Sequence, residues 1–188
     1  MFHIMERKPY KNAVENEQNI IFALAEIMNT KPFHQITVAE VCKKAGVSKN
    51  TFYRHFENLS DIIYRSIGEI NNRLVEKTYA TESHSINDFI TLVCNTWYEN
   101  RLIYKGFTQD EVIYIIRGYI KKDIMEMYEK FGIRNSDDGL FFEFFSTVFC
   151  MFLKWWSSRD FSETPEEIAK NIKDYLCGNV LERIEKYL

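Results

Sequence analysis

The sequence predicts an all-α fold, and three observations lead to that prediction. Apolar residues recur at spacings of three and four along most of the chain, which is the helical period. Only 7 Gly and 3 Pro occur in 188 residues, which disfavours an all-β or turn-rich fold. Helix-start signals, in which Ser, Thr or Asn precedes an acidic residue by three positions, recur before apolar stretches.

The first predicted helix covers about residues 12–29. Its apolar face is formed by Ile20, Ile21, Leu24, Ile27 and Met28. Thr30, Lys31 and Pro32 follow, and proline cannot continue a helix. Phe33 and Ile36 are expected to close a small core between this helix and the next segment.

Residues 36–56 predict two short helices joined by a tight turn. Val38, Val41, Cys42 and Ala45 lie at i, i+3, i+4 and i+7, so they form one apolar face. Thr37 and Glu40 match a capping box at the start of the first helix, and Ser48 is a favourable N-cap for the second. Gly46 stands where the first helix must end and tolerates a left-handed conformation.

The second short helix has one apolar and one polar face. Phe52 and Phe56 share the apolar face. The opposite face carries Lys49, Asn50, Tyr53 and Arg54. Hydrogen-bonding and cationic groups that point outward from the second helix of a helix-turn-helix are typical of a helix that enters a DNA groove.

The same segment resembles a known family. Its pattern Ile-Thr-Val-x-x-Val-x-x-x-Ala-Gly-Val-Ser-x-x-Thr-Phe-Tyr-x-His-Phe is similar to the DNA-binding signature of the TetR family of bacterial transcriptional regulators. The resemblance is dense over about twenty residues and extends loosely from Asn12 to Ile67. It implies a homodimer that binds a palindromic DNA operator, with a divergent helical domain that binds an effector. The family usually has a phosphate-binding lysine where this chain has Leu59.

Ten residues are predicted to contact DNA. The resemblance implies contacts from Lys49, Thr51, Tyr53 and His55, and Asn50 has the amide that reads an adenine edge. Side-chain chemistry, the basic charge of the segment and the helix N-termini extend the set. The full set is Thr37, Lys43, Lys44, Ser48, Lys49, Asn50, Thr51, Tyr53, Arg54 and His55. Simple packing or solvation is the alternative for Tyr53 and His55.

Charge is divided unevenly between the two parts of the chain. Residues 1–60 contain eight Lys or Arg and six Asp or Glu, so their net charge is +2, whereas residues 61–188 have a net charge of −5. Residues 41–56 contain four basic residues and no acidic one. The positive charge is therefore concentrated on the helix-turn-helix, although the whole chain is acidic.

The predicted domain organisation is a helix-turn-helix DNA-binding domain over residues 1–60 and a helical regulatory and dimerisation domain over residues 61–188. Asn58 predicts the N-cap of a fourth helix that reaches about Tyr79 and connects the two domains. A boundary is expected over residues 81–85. Three more helix starts are predicted after that boundary: Ser85 to Asp88, a capping box from Thr108 to Glu111, and Thr164 with Pro165 at the first helical position.

Residues 140–156 predict a helix that is apolar on nearly every side. Such a helix must be buried on most of its surface, and a partner chain can supply what one chain lacks. A homodimer interface formed with the last helix is therefore predicted. Its residues are Phe144, Phe149, Phe152, Ile172, Leu176 and Leu181. An ordinary monomer core is the alternative.

The aromatic residues of the second half predict an apolar pocket for a hydrophobic or aromatic effector. The predicted lining is Trp97, Tyr114, Arg117, Tyr119, Glu143 and Phe145. Glu143 is the acid expected to balance a cationic ligand. Core packing is the alternative for each aromatic residue, and the exposed rim of a helix is the alternative for Glu143 and its polar neighbours.

No cofactor, metal site or catalytic group is predicted. The four His and four Cys lack metal-ligand spacing, and no glycine-rich phosphate loop or nucleophile motif occurs. No signal peptide or membrane span is expected, which favours a cytoplasmic protein. Two rival functions stay open at this point: an adaptor or co-activator whose second domain binds a protein, and an enzyme, which lacks any supporting motif.

Overall fold

The computed structural model describes residues 8–80, 86–130 and 139–177. These residues form α-helices and one 3-10 turn without any strand, which confirms the predicted fold class. The helices are α1 (Lys8–Met28), α2 (Val38–Ala45), α3 (Lys49–His55), α4 (Leu59–Ala80), α5 (Ile86–Glu99), α6 (Arg101–Phe107), α7 (Ile113–Lys130), α8 (Gly139–Ser158) and α9 (Pro165–Cys177). The 3-10 turn covers Phe33–Gln35.

The N-terminal unit packs α1 against α2 and α3. Leu24 of α1 and Phe52 of α3 are completely buried in its core, with Val41 of α2 beside them. The apolar face predicted for α1 is thus the face that the core covers, with Ile27 at its edge. Burying such side chains stabilises a fold by about 1.5–3 kcal/mol each relative to leaving them in water.

Helix α4 connects this unit to the remaining helices. Its N-terminus is capped as predicted, since the Asp61 N–H donates to Asn58 Oδ1 at 3.0 Å. Its buried face, which includes Ile63, Ile67, Ile70 and Leu74, packs on α1, α5 and α7. The boundary expected over residues 81–85 lies outside the described residues, and the division at residue 60 stays a prediction.

The C-terminal helices pack as neighbouring pairs, α5 with α9 and α7 with α8. The predicted N-cap at Thr164 is confirmed, because the Glu167 N–H donates to Thr164 Oγ1. The Thr164 N–H also donates to Glu167 Oε2, so the two residues form a capping box. The capping box predicted for Thr108 and Glu111 is wrong. Thr108 Oγ1 pairs instead with Ser157 Oγ at 2.9 Å, and Glu111 contacts His34.

Helix α8 is the most apolar helix of the described chain, and it is long and apolar enough to cross a membrane by length and composition alone. A single such helix is weak evidence for a span, because the core helix of a globular domain passes the same test. One face of α8 lies in the core, where Phe149, Leu153 and Trp156 are buried. Another face of α8 is exposed and carries Leu140, Phe144 and Met151.

Candidate DNA-binding surface and regulatory core

The two helices of the helix-turn-helix begin at the residues that the sequence indicates. Thr37 Oγ1 accepts from the Glu40 N–H and the Glu40 carboxylate accepts from the Thr37 N–H, which completes the capping box of α2. Ser48 Oγ accepts from the Thr51 N–H at 3.0 Å and so caps α3. These caps satisfy N–H groups that a helix start would otherwise leave without partners.

The turn between α2 and α3 depends on Gly46. Its φ of 69° and ψ of 28° lie in the left-handed region, and its N–H reaches the carbonyls of Cys42 and Lys43. A side chain there would be strained, so glycine suits the position. The Val47 N–H then donates to the Cys42 carbonyl at 3.0 Å, which fixes the direction in which α3 starts.

Helix α3 is anchored by its apolar face and exposes its polar face. Phe52 is completely buried and meets the Tyr53 ring edge-on at 5.3 Å between centroids. Tyr53 itself is 58% exposed, and Lys49, Asn50 and Arg54 are exposed beside it. The structure therefore brings four predicted DNA contacts to one open face of a rigid helix.

Thr51 and His55 are less available than these four residues. Thr51 Oγ1 pairs with Ser48 Oγ at 2.9 Å and accepts from Arg54 at 3.3 Å. The His55 ring faces Glu17 of α1 at 3.9 Å, and only 14% of its side chain is exposed. Because its carbonyl also accepts from Arg65, His55 has a role in fastening α3 to α1 and α4.

The N-terminus of α2 is already occupied by a carboxylate. Glu40 accepts from the Thr37 N–H and hydroxyl at 2.8 Å, and Lys31 donates to it at 2.6 Å. The Lys31 ammonium, followed by Thr37, lowers the pKa of Glu40 to about 2. A DNA phosphate at Thr37 must compete with this internal anion.

Two further predicted DNA contacts lie at the end of α2. Lys43 and Lys44 are exposed in the last turn of α2, and Lys44 is paired with Glu26 at 2.6 Å. At the start of α4, Leu59 is half-buried against the core. That helix start therefore offers no cation at the position where the resembling family has lysine.

The loop between α6 and α7 holds the segment that leads into α2. Gln109 donates to the carbonyls of Met28 and Lys31 and accepts from the Phe33 N–H at 2.9 Å. The Glu111 carboxylate accepts from the His34 N–H at 3.0 Å and contacts the His34 ring at 2.6 Å. We call Gln109 and Glu111 the interdomain clamp, because they join the C-terminal helices to the helix-turn-helix.

The six predicted effector contacts do not share one cavity. Trp97 is buried and packs on Phe149, whereas Tyr114 is exposed. Tyr119 donates to the Tyr64 carbonyl at 3.0 Å, on the outer side of α4. Three further predicted residues lie along α7 and α8: Arg117, Glu143 and Phe145.

Glu143 is a surface residue and not the acid of a pocket. It pairs with Arg117 at 2.9 Å and with Lys121 at 2.5 Å, in a partly exposed network between α7 and α8. Both cations lower the pKa of its carboxyl, Lys121 most strongly. Phe145 packs on Phe141 in a tilted arrangement, with 4.2 Å between ring centroids and 36° between ring planes.

Two buried polar residues, Asp123 and Asn71, are not among the site residues that the sequence predicts. Asp123 of α7 is only 7% exposed, and Asn71 of α4 is 4% exposed. Each lies on the apolar face of its helix: Asp123 is seven residues after Ile116, and Asn71 is four after Ile67. That register is the sequence signal that identifies both as core polar residues.

The structure divides the predicted dimer residues between core and surface. Phe149 and Ile172 are buried in the chain's own core, so they are not available to a partner in this arrangement. Phe152 is half-buried against Tyr175, whereas Phe144 is exposed. The side chains of Leu176 and Leu181 lie outside the described residues.

Comparison with known proteins matches both parts of this chain. Residues 20–63 match the family of bacterial regulatory proteins called the tetR family. Residues 84–178 match a transcriptional regulator C-terminal region. The chain belongs to the TetR family. This TetR-family protein has no match among curated proteins.

Solved structures share its fold. A structure of Lin0861 from Listeria innocua has a TM-score of 0.70 at 15% identity, and the match covers 92% of this chain and 94% of the Lin0861 chain. The dihydroxyacetone kinase operon activator DhaS has a TM-score of 0.57 at 16% identity, and the match covers 89% of this chain and 97% of the DhaS chain. The regulator FadR from Bacillus subtilis, in complex with stearoyl-CoA, has a TM-score of 0.57 at 17% identity, covering 85% and 96%.

The family membership supplies the general function of this TetR-family protein, which is DNA-binding transcription regulation. Two of these proteins of similar fold have stated roles: DhaS is an operon activator and FadR is a transcriptional regulator. At such low identity the likeness of the structures concerns the fold alone.

Proposed function

We propose that this protein is a homodimeric repressor that binds a palindromic operator and releases it when a small-molecule effector binds the C-terminal helices. The exposed polar face of α3 carries the proposal. Asn50 and Arg54 present amide and guanidinium groups suited to base edges, and Lys49 and Tyr53 present groups suited to phosphates.

A selection from random-sequence duplex DNA followed by gel-shift titration tests the operator contacts. The double variant Lys49→Ala with Tyr53→Phe removes two groups suited to phosphates and is expected to weaken operator binding by about 1–3 kcal/mol for each lost charge or hydrogen bond. Its helical circular dichroism is expected to be unchanged, because both groups face solvent. Unaltered operator affinity would show that α3 is not the recognition helix.

The exposed face of α8 supports the homodimer. Leu140, Phe144, Val148, Met151 and Trp155 follow one another at spacings of four, four, three and four, so they form one stripe, here called the α8 stripe. Leu140 is 83% exposed and Met151 is 65% exposed. A two-fold axis through such a stripe buries it against its own copy, as isologous dimer interfaces do.

The oligomeric state has a matched test. Met151 and Leu102 are exposed to nearly the same extent, 65% and 64%, but Leu102 lies on α6 and is not part of the stripe. Met151→Glu is expected to give monomers, because it buries an unpaired charge at the interface. Leu102→Glu is expected to leave the dimer intact. A wild-type chain that sediments as a monomer at micromolar concentration contradicts the proposal.

A dimer also explains how two copies of α3 reach DNA together. Recognition helices that enter successive major grooves must be about 34–36 Å apart. An effector lowers operator affinity only if it binds more weakly to the dimer whose recognition helices are spaced for DNA than to another arrangement of the dimer. The interdomain clamp and the contact of α1 with α6 transmit such a change, since they fix the C-terminal helices to the helix-turn-helix.

The effector part of the proposal draws support from a neighbour of similar fold. The structure of FadR from Bacillus subtilis contains stearoyl-CoA, so a protein of this fold can bind a small molecule. A reporter fused to the selected operator tests repression. Deleting the gene is expected to raise reporter expression, and a fall in expression would indicate activation instead.

One observation favours a second candidate, an adaptor or co-activator that binds a protein. The predicted aromatic contacts do not line one cavity, and the α8 stripe is available to any apolar partner. The similar structure of DhaS is that of an operon activator. A purified chain that fails to bind selected DNA alone, and gains binding with a copurified protein, would favour this candidate.

A further inference from the structure

A group of buried polar atoms without partners lies between α4 and α7. Asp123 Oδ1, Glu126 Oε2 and Asn71 Nδ2 make no hydrogen bond in the described part of the chain. Buried polar groups are nearly always hydrogen-bonded, and an isolated buried carboxylate is especially unfavourable. Three such atoms in one region therefore indicate a missing partner.

Acidic groups dominate the electrostatics of this region. Burial raises the pKa of Asp123 to about 8, and the charge of Glu126 adds to the effect. The Asn71 amide and Lys122 oppose it, but no hydrogen bond of ordinary geometry joins Asn71 to Asp123. Lys122 lies outside the group, where it pairs with the other oxygen of Glu126 at 3.5 Å.

A small cavity opens beside the two acids, Asp123 and Glu126. Its volume is about 10 Å³, and Asp123 and Glu126 line it on one side. Leu74, Val75 and Phe89 supply apolar walls from α4 and α5. This is about the space that one water needs, and an ammonium group is of similar size.

The chemistry of the lining selects among ligands. Two acidic groups repel an anion such as a carboxylate or a phosphate, so the charged end of an acyl thioester does not suit this cavity. A cation allows Asp123 to ionise beside Glu126, and it supplies the donors that their free oxygens lack.

We propose that this cavity binds the protonated amino group of a primary amine, and that such an amine is the effector of this regulator. Its apolar body leaves the cavity past Leu74 and Phe89. The inference rests on the proposed function, because it names the effector class of the same regulatory helices. Helix α4 carries the coupling, since it contributes Leu74 and Val75 to the cavity wall and begins at Leu59 beside the helix-turn-helix.

The test uses benzylamine and its uncharged analogue benzyl alcohol on the full chain. Benzylamine is expected to bind the wild type in calorimetric titration, to raise its Tm and to weaken its binding to selected operator DNA. Benzyl alcohol is expected to bind roughly tenfold to hundredfold more weakly, because it lacks the charge-assisted hydrogen bonds. Asp123→Asn is expected to weaken benzylamine binding by a similar factor.

Controls separate the possible failures. Glu126→Gln provides a second variant at the cavity, and Asp160→Asn removes an exposed acid that pairs with Lys105 elsewhere. Benzylamine binding that is absent, or equal in the wild type and both cavity variants, overturns the inference and leaves a bridging water as the missing partner. Operator binding without any amine is measured separately, so a failed inference is distinguished from a failed proposed function.

Discussion

Gly106 offers the sharpest test of how the two parts of the molecule are joined. At this residue α6 crosses α1 so closely that a Cβ atom would lie 2.2 Å from the Ala25 carbonyl oxygen and 2.7 Å from the Ala25 Cα. Ordinary contacts between such atoms are about 3.5 Å or more. Gly106→Ala therefore forces the two helices apart by roughly 1 Å.

The expected loss of stability in Gly106→Ala depends on which atoms of α1 must move to make room for the new methyl group. Both neighbouring atoms belong to the backbone of α1, so no side chain can rotate away from the new methyl group. Overpacking of this kind typically costs about 1–3 kcal/mol, and alanine returns up to about 1 kcal/mol of helix propensity. We expect a net loss of about 1–2 kcal/mol. The shift also stretches the bonds of Gln109 to Met28 and Lys31.

Urea unfolding followed by circular dichroism measures the free energy of unfolding, and gel shift measures operator affinity. Gly118→Ala is the matched control, because a Cβ atom on α7 there meets nothing within 4 Å. It is expected to stabilise the protein by up to about 1 kcal/mol. If Gly106→Ala is as stable as the wild type, or as stable as Gly118→Ala, the close crossing of α1 and α6 does not hold.

Three further predictions concern single side chains. Thr37→Ala removes the capping box of α2 and is expected to lower the free energy of unfolding by about 1 kcal/mol in urea titration. Leu59→Lys places a cation at the start of α4 and is expected to strengthen operator binding and steepen its logarithmic salt dependence by about 1. Asp123 takes up a proton on folding, because its pKa rises from 3.8 to about 8. The stability of the wild type is thus expected to fall as the pH rises from about 4 to 8. Asp123→Asn should flatten that fall in urea titrations at several pH values, and an unchanged slope contradicts the buried position.

Local signals account for what the sequence predicted well. The caps of α2, α3 and α9 involve residues three positions apart, so their hydrogen bonds are encoded within one helical turn. The left-handed Gly46 is equally local. Helix α6 was missed because it has only seven residues and no side-chain cap at Asn100.

The sequence by itself thus determined the helical fold, the helix-turn-helix and the outward face of α3. The tertiary structure decided which side of α8 is exposed, because a helix that is apolar all round has no polar face to orient it. It also decided that Glu143 is solvated and Asp123 buried, since burial depends on the helices packed against a residue. Gln109 and Glu111 became an interdomain clamp for the same reason: their partners lie more than seventy residues away in the chain.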